Sequence, residues 1–236
     1  QNGVKLAEED YTATSGTAIV LAQGASADDV VEIIVFDVFS VADTVSKSAG
    51  GDFNSDITSG GNPVKVAGKE SMWIPSLAMK PTTSNGCSLI TSVETTSGRP
   101  DMIVFDFDKD SDEFAQFAIA FPKSWDAGTV TFQFYWSGIA ATTNVTMTLQ
   151  GVSFADNDSI DTAYGTAVAV TDAAQGAVEE LLVSAESGAI TIAGSPGENE
   201  LTYFRIGRDV SEDNMAGDCR LHGIKLFFNT DTKNDS

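Results

Sequence analysis

The sequence predicts an all-β protein, a small N-terminal β module followed by a jelly-roll-like β-sandwich. Three observations carry this. Val, Ile, Thr and Phe runs of four to ten residues alternate with Gly, Asn, Asp and Ser clusters along nearly the whole chain. Turn signals recur about every 8–12 residues beyond position 72, the spacing of a two-sheet sandwich. No long window shows a helical period.

The expected strands are 18–22, 30–39, 88–95, 101–107, 114–121, 128–137, 145–154, 166–170, 180–184, 189–193, 201–208 and 219–229. The opening Asn2-Gly3-Val4-Lys5-Leu6 reads as the end of a turn and the start of a strand whose other half lies upstream. The chain begins at Gln1 without Met or a signal-peptide pattern, which points to residues before it. Between 46 and 71, the Gly50-Gly51 and Gly60-Gly61 pairs and Pro63 cannot sustain a central strand. That stretch reads as a linker or extended arm dividing a module at 1–45 from a domain at 72–236. Within the domain, the segment from 114 to 121 is apolar at nearly every position and reads as buried on both faces. The strand at 128–137 alternates instead. Val130, Phe132, Phe134 and Trp136 share one face, and Thr131, Gln133 and Tyr135 share a polar outer one. From 172 to 182 the chain is Ala-rich, but Gly176 limits it to one helical turn. No short internal repeat argues for a solenoid or propeller.

Composition bounds the function. Of 236 residues 42% are hydrophobic, enough for a sizeable core, and 13 Lys and Arg face 34 Asp and Glu for a formal charge of −21. Clustered cations are missing, which argues against nucleic acid and against anionic lipid surfaces. The plain reading is a self-repelling surface suited to high salt or an extracellular medium. No apolar run approaches the ~20 residues of a membrane-spanning helix. Two cysteines, Cys87 and Cys219, are too few for a disulfide framework, and buried free thiols are expected.

Candidate sites are few. Asp106, Asp108, Asp110 and Asp112 form the best metal candidate, because alternating carboxylates converge when a loop curls around Ca²⁺ or Mg²⁺. The run departs from the EF-hand pattern, with Ser111 at the turn Gly and Phe117 at the bidentate Glu, and its plainer reading is a charged hairpin turn. The turns at 156–159 and 212–214 carry less signal. His222 is the only histidine and lies in a strand-like run, so a hydrogen-bonded structural role outweighs a catalytic one. No Gly-x-Ser-x-Gly occurs, and no carboxylate pair stands out for glycoside hydrolysis. The chain is therefore read as a non-enzyme with no required cofactor. Trp73, Trp125, Tyr135 and Tyr164 could stack on sugar rings, although strand aromatics are mostly core. Trp125, in the loop at 122–128, and Tyr135 are the candidate ligand-binding residues.

Beyond these patterns, the text resembles virion proteins of tailed bacteriophages. Asn2-Gly3-Val4-Lys5-Leu6, Asp10-Tyr11-Thr12-Ala13-Thr14, Gly16-Thr17 and Phe39-Ser40-Val41-Ala42-Asp43 are similar to phage tail fibre sequence over about 45 residues. Met72-Trp73-Ile74-Pro75, Pro122-Lys123-Ser124-Trp125, Gly128-Thr129-Val130-Thr131, Tyr164-Gly165-Thr166-Ala167, Ala189-Ile190-Thr191-Ile192-Ala193-Gly194 and the run from Asp218 to Phe228 resemble proteins of tailed, often marine, phages. The strand-turn-strand at 106–121 resembles them too. The resemblance implies a homotrimeric tail fibre component that displays its sandwich for adsorption to host-surface glycans, with other virion proteins as partners. A head fibre or capsid decoration protein is the alternative, and a carbohydrate-active enzyme the second. No catalytic residue carries over.

Overall fold

The computed structural model describes residues 2–3, 5–15, 17–34, 58–59, 62–63, 67–178 and 180–231. Two compact units divide the chain, 1–57 and 58–236.

In the first unit a 3-10 turn at Glu8–Asp10 leads into β1 (Tyr11–Thr12), which pairs antiparallel with β2 (Val20–Leu21). The Asn2 side chain donates to Asp29 Oδ1 at 2.7 Å and accepts from the Val30 amide at 3.0 Å. The start of the unit is thus tied to its residues 29–30, and 5–7 form no strand. None of its described side chains is buried. Of the expected strand at 30–39, residues 30–34 are not strand, and 35–39 lie outside the described residues. Residues 40–57, which include the first part of the expected linker, also lie outside the described residues.

The second unit begins with a two-residue pairing of β3 (Thr58–Ser59) and β4 (Asn62–Pro63). It continues through β5 (Gly68–Pro75), β6 (Lys80–Pro81), β7 (Thr91–Glu94), β8 (Asp101–Phe107), β9 (Phe114–Ile119) and β10 (Thr131–Ser137). The rest are β11 (Asn144–Phe154), β12 (Val168–Ala173), β13 (Leu182–Val183), β14 (Leu201–Arg208) and β15 (Cys219–Thr230). One sheet runs β13-β10-β15-β8-β7, with β5 also on β15; the other runs β12-β11-β14-β9-β6. Every pairing between these strands is antiparallel. Apart from β7–β8 and β11–β12, successive strands from β5 onward lie in opposite sheets. The chain is therefore all-β, a small N-terminal β module followed by a jelly-roll-like sandwich.

That topology corrects several expectations. The acidic segment after β8 joins two sheets, because β8 and β9 do not pair, so it is not a hairpin turn. Residues 68–71, placed in the linker, are strand. They pair with the end of β15 at the margin of the core, where residues 68–71 are exposed on both faces and no apolar alternation is needed. β9 is buried on one face only: Ala115 and Phe117 point inward, while Ala118 is exposed. The segment at 189–193 makes single bridges at Ile190 and Ala193 rather than a strand. Between 172 and 182 the described residues hold no helical turn.

The core fills the space between the sheets. Phe105, Phe107, Phe132, Phe134, Trp136, Leu221, Ile224 and Leu226 come from one side, and Phe117, Val145, Met147, Leu149, Phe204 and Ile206 from the other. Phe117 and Phe204, paired in register, stack at 5.3 Å. Trp136 is fully buried, and its indole N–H donates to Asp172 Oδ2 at 2.8 Å. Cys87 and Cys219 are both free and buried in this core. Burial pushes the Cys87 thiol up to about 12, and the Cys219 thiol is also driven upward by burial, so neither is a nucleophile at neutral pH.

At the end of β14, Arg208 is 1% exposed yet charged. Its guanidinium donates to both carboxylate oxygens of Asp213, at 2.7 and 3.2 Å. It donates also to the carbonyls of Phe107 (3.1 Å), Gly217 (2.8 Å) and Met215 (2.9 Å). One side chain thereby fastens the 209–218 loop and the end of β8. Replacing one member of such a buried pair strands the other charge. Arg208→Met is expected to cost about 3–5 kcal/mol, read as a lowered urea midpoint. A double variant that also replaces Asp213 by Leu should recover part of the loss.

Candidate functional site

The site grows from the register of the central strand. β15 pairs with β10 on one edge, and with β8 and then β5 on the other. Between Tyr135↔Gly223 and Trp136↔Leu221 the register slips, leaving His222 as an extra residue, a β-bulge. Before the bulge Cys219 and Leu221 point inward; after it Ile224, Leu226 and Phe228 do. β10 needs no such switch, and Phe132, Phe134 and Trp136 stay inward throughout. The bulge thus delivers Lys225 and Phe227 to the same outer face as Gln133 and Tyr135.

Trp73 completes this face. It pairs with Lys225 across β5–β15, between Met72 and the buried Ile74, and is 47% exposed. Its indole meets the Tyr135 ring edge-on at 4.9 Å and 81°. Gly223 makes this possible. A Cβ there would stand 2.7 Å from the Trp73 ring and 2.6 Å from the Ile74 carbonyl oxygen. The missing side chain lets the indole lie across the strand. Trp73, Met102, Tyr135, Leu181, His222 and Lys225 line an open groove of about 500 Å³.

Polar groups continue the face in both directions. Ser137 Oγ and His222 Nε2 are 3.1 Å apart. Burial pushes the His222 pKa below its usual value, the Arg220 charge adds to this, and Asp106 opposes it. Arg220 donates to Asp106 at 3.0 Å. Beyond Lys225, Gln133 donates to the Ser184 carbonyl at 2.9 Å. Glu186 accepts from Lys69 and Thr131, and these bonds hold its pKa down. Lys69 also lies over the Phe227 ring, 4.7 Å from its centroid. The result is a strip with an apolar aromatic centre and hydrogen-bonding flanks.

Of the residues singled out in the sequence, Tyr135 lies in this groove and Trp125 does not. Trp125 is 5% exposed and stacks on Phe121 at 3.9 Å. Its loop pairs with the end of β15, Asp126 N donating to the Asn229 carbonyl at 3.1 Å. This folds the indole into the core, where its N–H finds no partner among the described residues. A ring so covered cannot stack on a sugar.

Nor do the four aspartates converge. Asp106 faces Arg220, Asp108 accepts from the Asp110 amide at 2.6 Å, Asp110 pairs with Lys109, and Asp112 accepts from the Val210 amide at 3.0 Å. Among the described residues no three His, Cys, Asp or Glu side chains gather as a metal site. Tyr164 lies on the other sheet's side, 5.1 Å from the Arg205 guanidinium.

Sequence reasoning offered Trp73 as a possible sugar-stacking ring but chose Trp125 and Tyr135 over it, and it passed over Gly223 and Lys225. The signal was there for Trp73: in Met72-Trp73-Ile74 the alternation that buries Ile74 turns Trp73 outward. For Gly223 and Lys225 it was hidden, because the bulge reverses the parity of β15.

No family model matches the chain, and no curated protein matches it. Several solved structures are similar. An isomalto-dextranase from Arthrobacter globiformis T6, solved with panose, is 18% identical over 70% of this chain and 24% of its own, with a TM-score of 0.38. The chain spans about a quarter of that protein. A family 35 carbohydrate-binding module from Clostridium thermocellum is 11% identical over 66% of this chain and 97% of its own, with a TM-score of 0.40. A family 11 carbohydrate-binding module from the same organism, in complex with a β-1,3-1,4-mixed-linked tetrasaccharide, is 9% identical over 72% and 94%, with a TM-score of 0.32.

Two expectations follow from the geometry. Between its lowered pKa and the unfolded value near 6.5, His222 binds fewer protons in the fold than in the unfolded chain. Its contribution to stability is complete above pH 6.5 and falls as the pH drops below. Urea melts at pH 7.5 and 5.5 should therefore show a smaller loss on acidification for His222→Gln than for wild type. Gly223→Ala should displace the Trp73 ring. Since Trp125 and Trp136 are buried, a change in iodide quenching of tryptophan fluorescence reads that displacement directly.

Proposed function

We propose that the sandwich is a glycan-binding domain whose site is the outer-face groove around Trp73 and Tyr135. The observation that carries the reading is the half-exposed indole braced edge-on by a tyrosine, with Lys225 and His222 lining the same groove. An exposed aromatic face is costly to leave in water and suits the apolar face of a pyranose, while polar neighbours meet its hydroxyls. Lining groups held on paired strands need little ordering when a ligand arrives. The groove's described lining holds no carboxylate pair, which supports binding over hydrolysis.

We propose further that the domain acts in adsorption, as part of a homotrimeric tail fibre of a tailed phage. Here the support is the sequence resemblance, together with the N-terminal module. Its described residues bury no side chain and leave Ile19, Val20, Val30, Ile33 and Ile34 exposed. So thin a module gains a core by association of copies of the chain.

A glycan array probed with the full chain tests the binding reading. Wild type should retain a defined set of saccharides and show Trp73 protected from iodide by them. Trp73→Ala should weaken retention at least ~30-fold, the loss of an aromatic hot spot of about 2 kcal/mol. Equal retention by Trp73→Ala would place the site elsewhere. Cryo-EM of the particle tests the location, since copies tiled over a capsid lattice would overturn the tail assignment.

A further inference from the structure

This step rests on the groove being a glycan site and concerns which glycans it takes. Acids outnumber bases 34 to 13 in the chain. Yet the described lining of the groove includes Lys225 and His222 and no Asp or Glu. Along the same face two carboxylates are already engaged, Asp106 by Arg220 and Glu186 by Lys69 and Thr131. Lys225 has no carboxylate or hydrogen-bond partner among the described residues; its ammonium lies 5.3 Å from the Phe227 ring centroid. It stands in register between Trp73 on β5 and Gln133 on β10. A cation without a counter-ion thus sits beside the aromatic platform of a strongly acidic protein.

We infer that the groove selects saccharides bearing an anionic substituent, a uronate carboxylate or a sulfate, with Lys225 receiving the anion while Trp73 stacks on the ring. An ammonium–oxyanion hydrogen bond is roughly twice as strong as a neutral one. The net charge of −21 opposes this only at long range, because exposed charges are screened beyond ~8 Å at physiological ionic strength. Contact with Lys225 is made well inside that distance. With no carboxylate among the described lining residues, an anion at Lys225 meets less local repulsion there than most of this protein's surface would impose.

The test is isothermal titration of the full chain with two matched pairs, oligogalacturonate against neutral galacto-oligosaccharide and dextran sulfate against dextran. The inference expects one acidic member to bind about tenfold or more tightly than its neutral partner. Whichever acidic member does so tells carboxylate from sulfate. Lys225→Gln should collapse the acidic-to-neutral ratio, and Lys225→Arg should restore it. Equal or tighter binding of the neutral members, or a ratio unchanged in Lys225→Gln, would overturn the inference and leave the glycan reading standing. No binding of any of the four, with Trp73 unprotected across a glycan array, would overturn both.

Discussion

The extra residue in β15 is the constraint on which the second unit depends. A strand whose side chains alternate strictly can serve one core only if its apolar residues keep one parity. In β15 they do not: Cys219 and Leu221 are odd, and Ile224, Leu226 and Phe228 are even. Without the bulge at His222, one of these sets would face water. With it, both face the core, and β10 stays paired along its full length with its own parity unbroken. The same slip sets the outer face. It places Gly223 opposite Tyr135 and beside Pro75, leaving the gap into which the Trp73 indole settles. Core and groove are two consequences of one inserted residue.

A second constraint is electrostatic. Arg208 is buried, and its charge is answered by Asp213 and three carbonyls. Such an arrangement gives geometry more surely than it gives free energy, since desolvation offsets much of the attraction. What it fixes is the path of the 209–218 loop, which leads directly into β15. The loop held in this way ends where the central strand starts, at Cys219.

Much of the fold was legible because β-sandwich strands declare themselves by alternation. β8 and β14 stand where the sequence placed them, and the inward set Val130, Phe132, Phe134 and Trp136 is the one read from periodicity. The misreadings have specific causes. β5 begins in polar text, because its first four residues are exposed on both faces and need no apolar side. The strand of 114–121 looked doubly buried because Ala118 and Ile119 are apolar; in β9 one is exposed and the other half-buried. The loop at 106–113 looked like a hairpin because strand text lay on both sides, and nothing local says that the partners belong to different sheets. Trp125 looked like a loop aromatic offered to solvent. Its burial depends on pairing with residues 229–231, a hundred positions away.

The site's position follows from the same layering. A two-sheet sandwich spends its inner faces on the core, so a ligand must be met at the loops or on an outer face. At the loops, Trp125 turns inward and the 106–112 carboxylates are taken up by Arg220, Lys109 and backbone amides. On the outer face, strand spacing of about 4.8 Å holds side chains from three neighbouring strands in one rigid row. Trp73, Lys225 and Gln133 form such a row, set across β5, β15 and β10. An aromatic platform, a cation and an amide held at fixed separations suit a rigid ring with directional substituents better than a flexible chain. The row's spacing comes from backbone pairing rather than from loop conformation. Its geometry should therefore survive changes in the connecting loops and fail only when β15 or its bulge is disturbed.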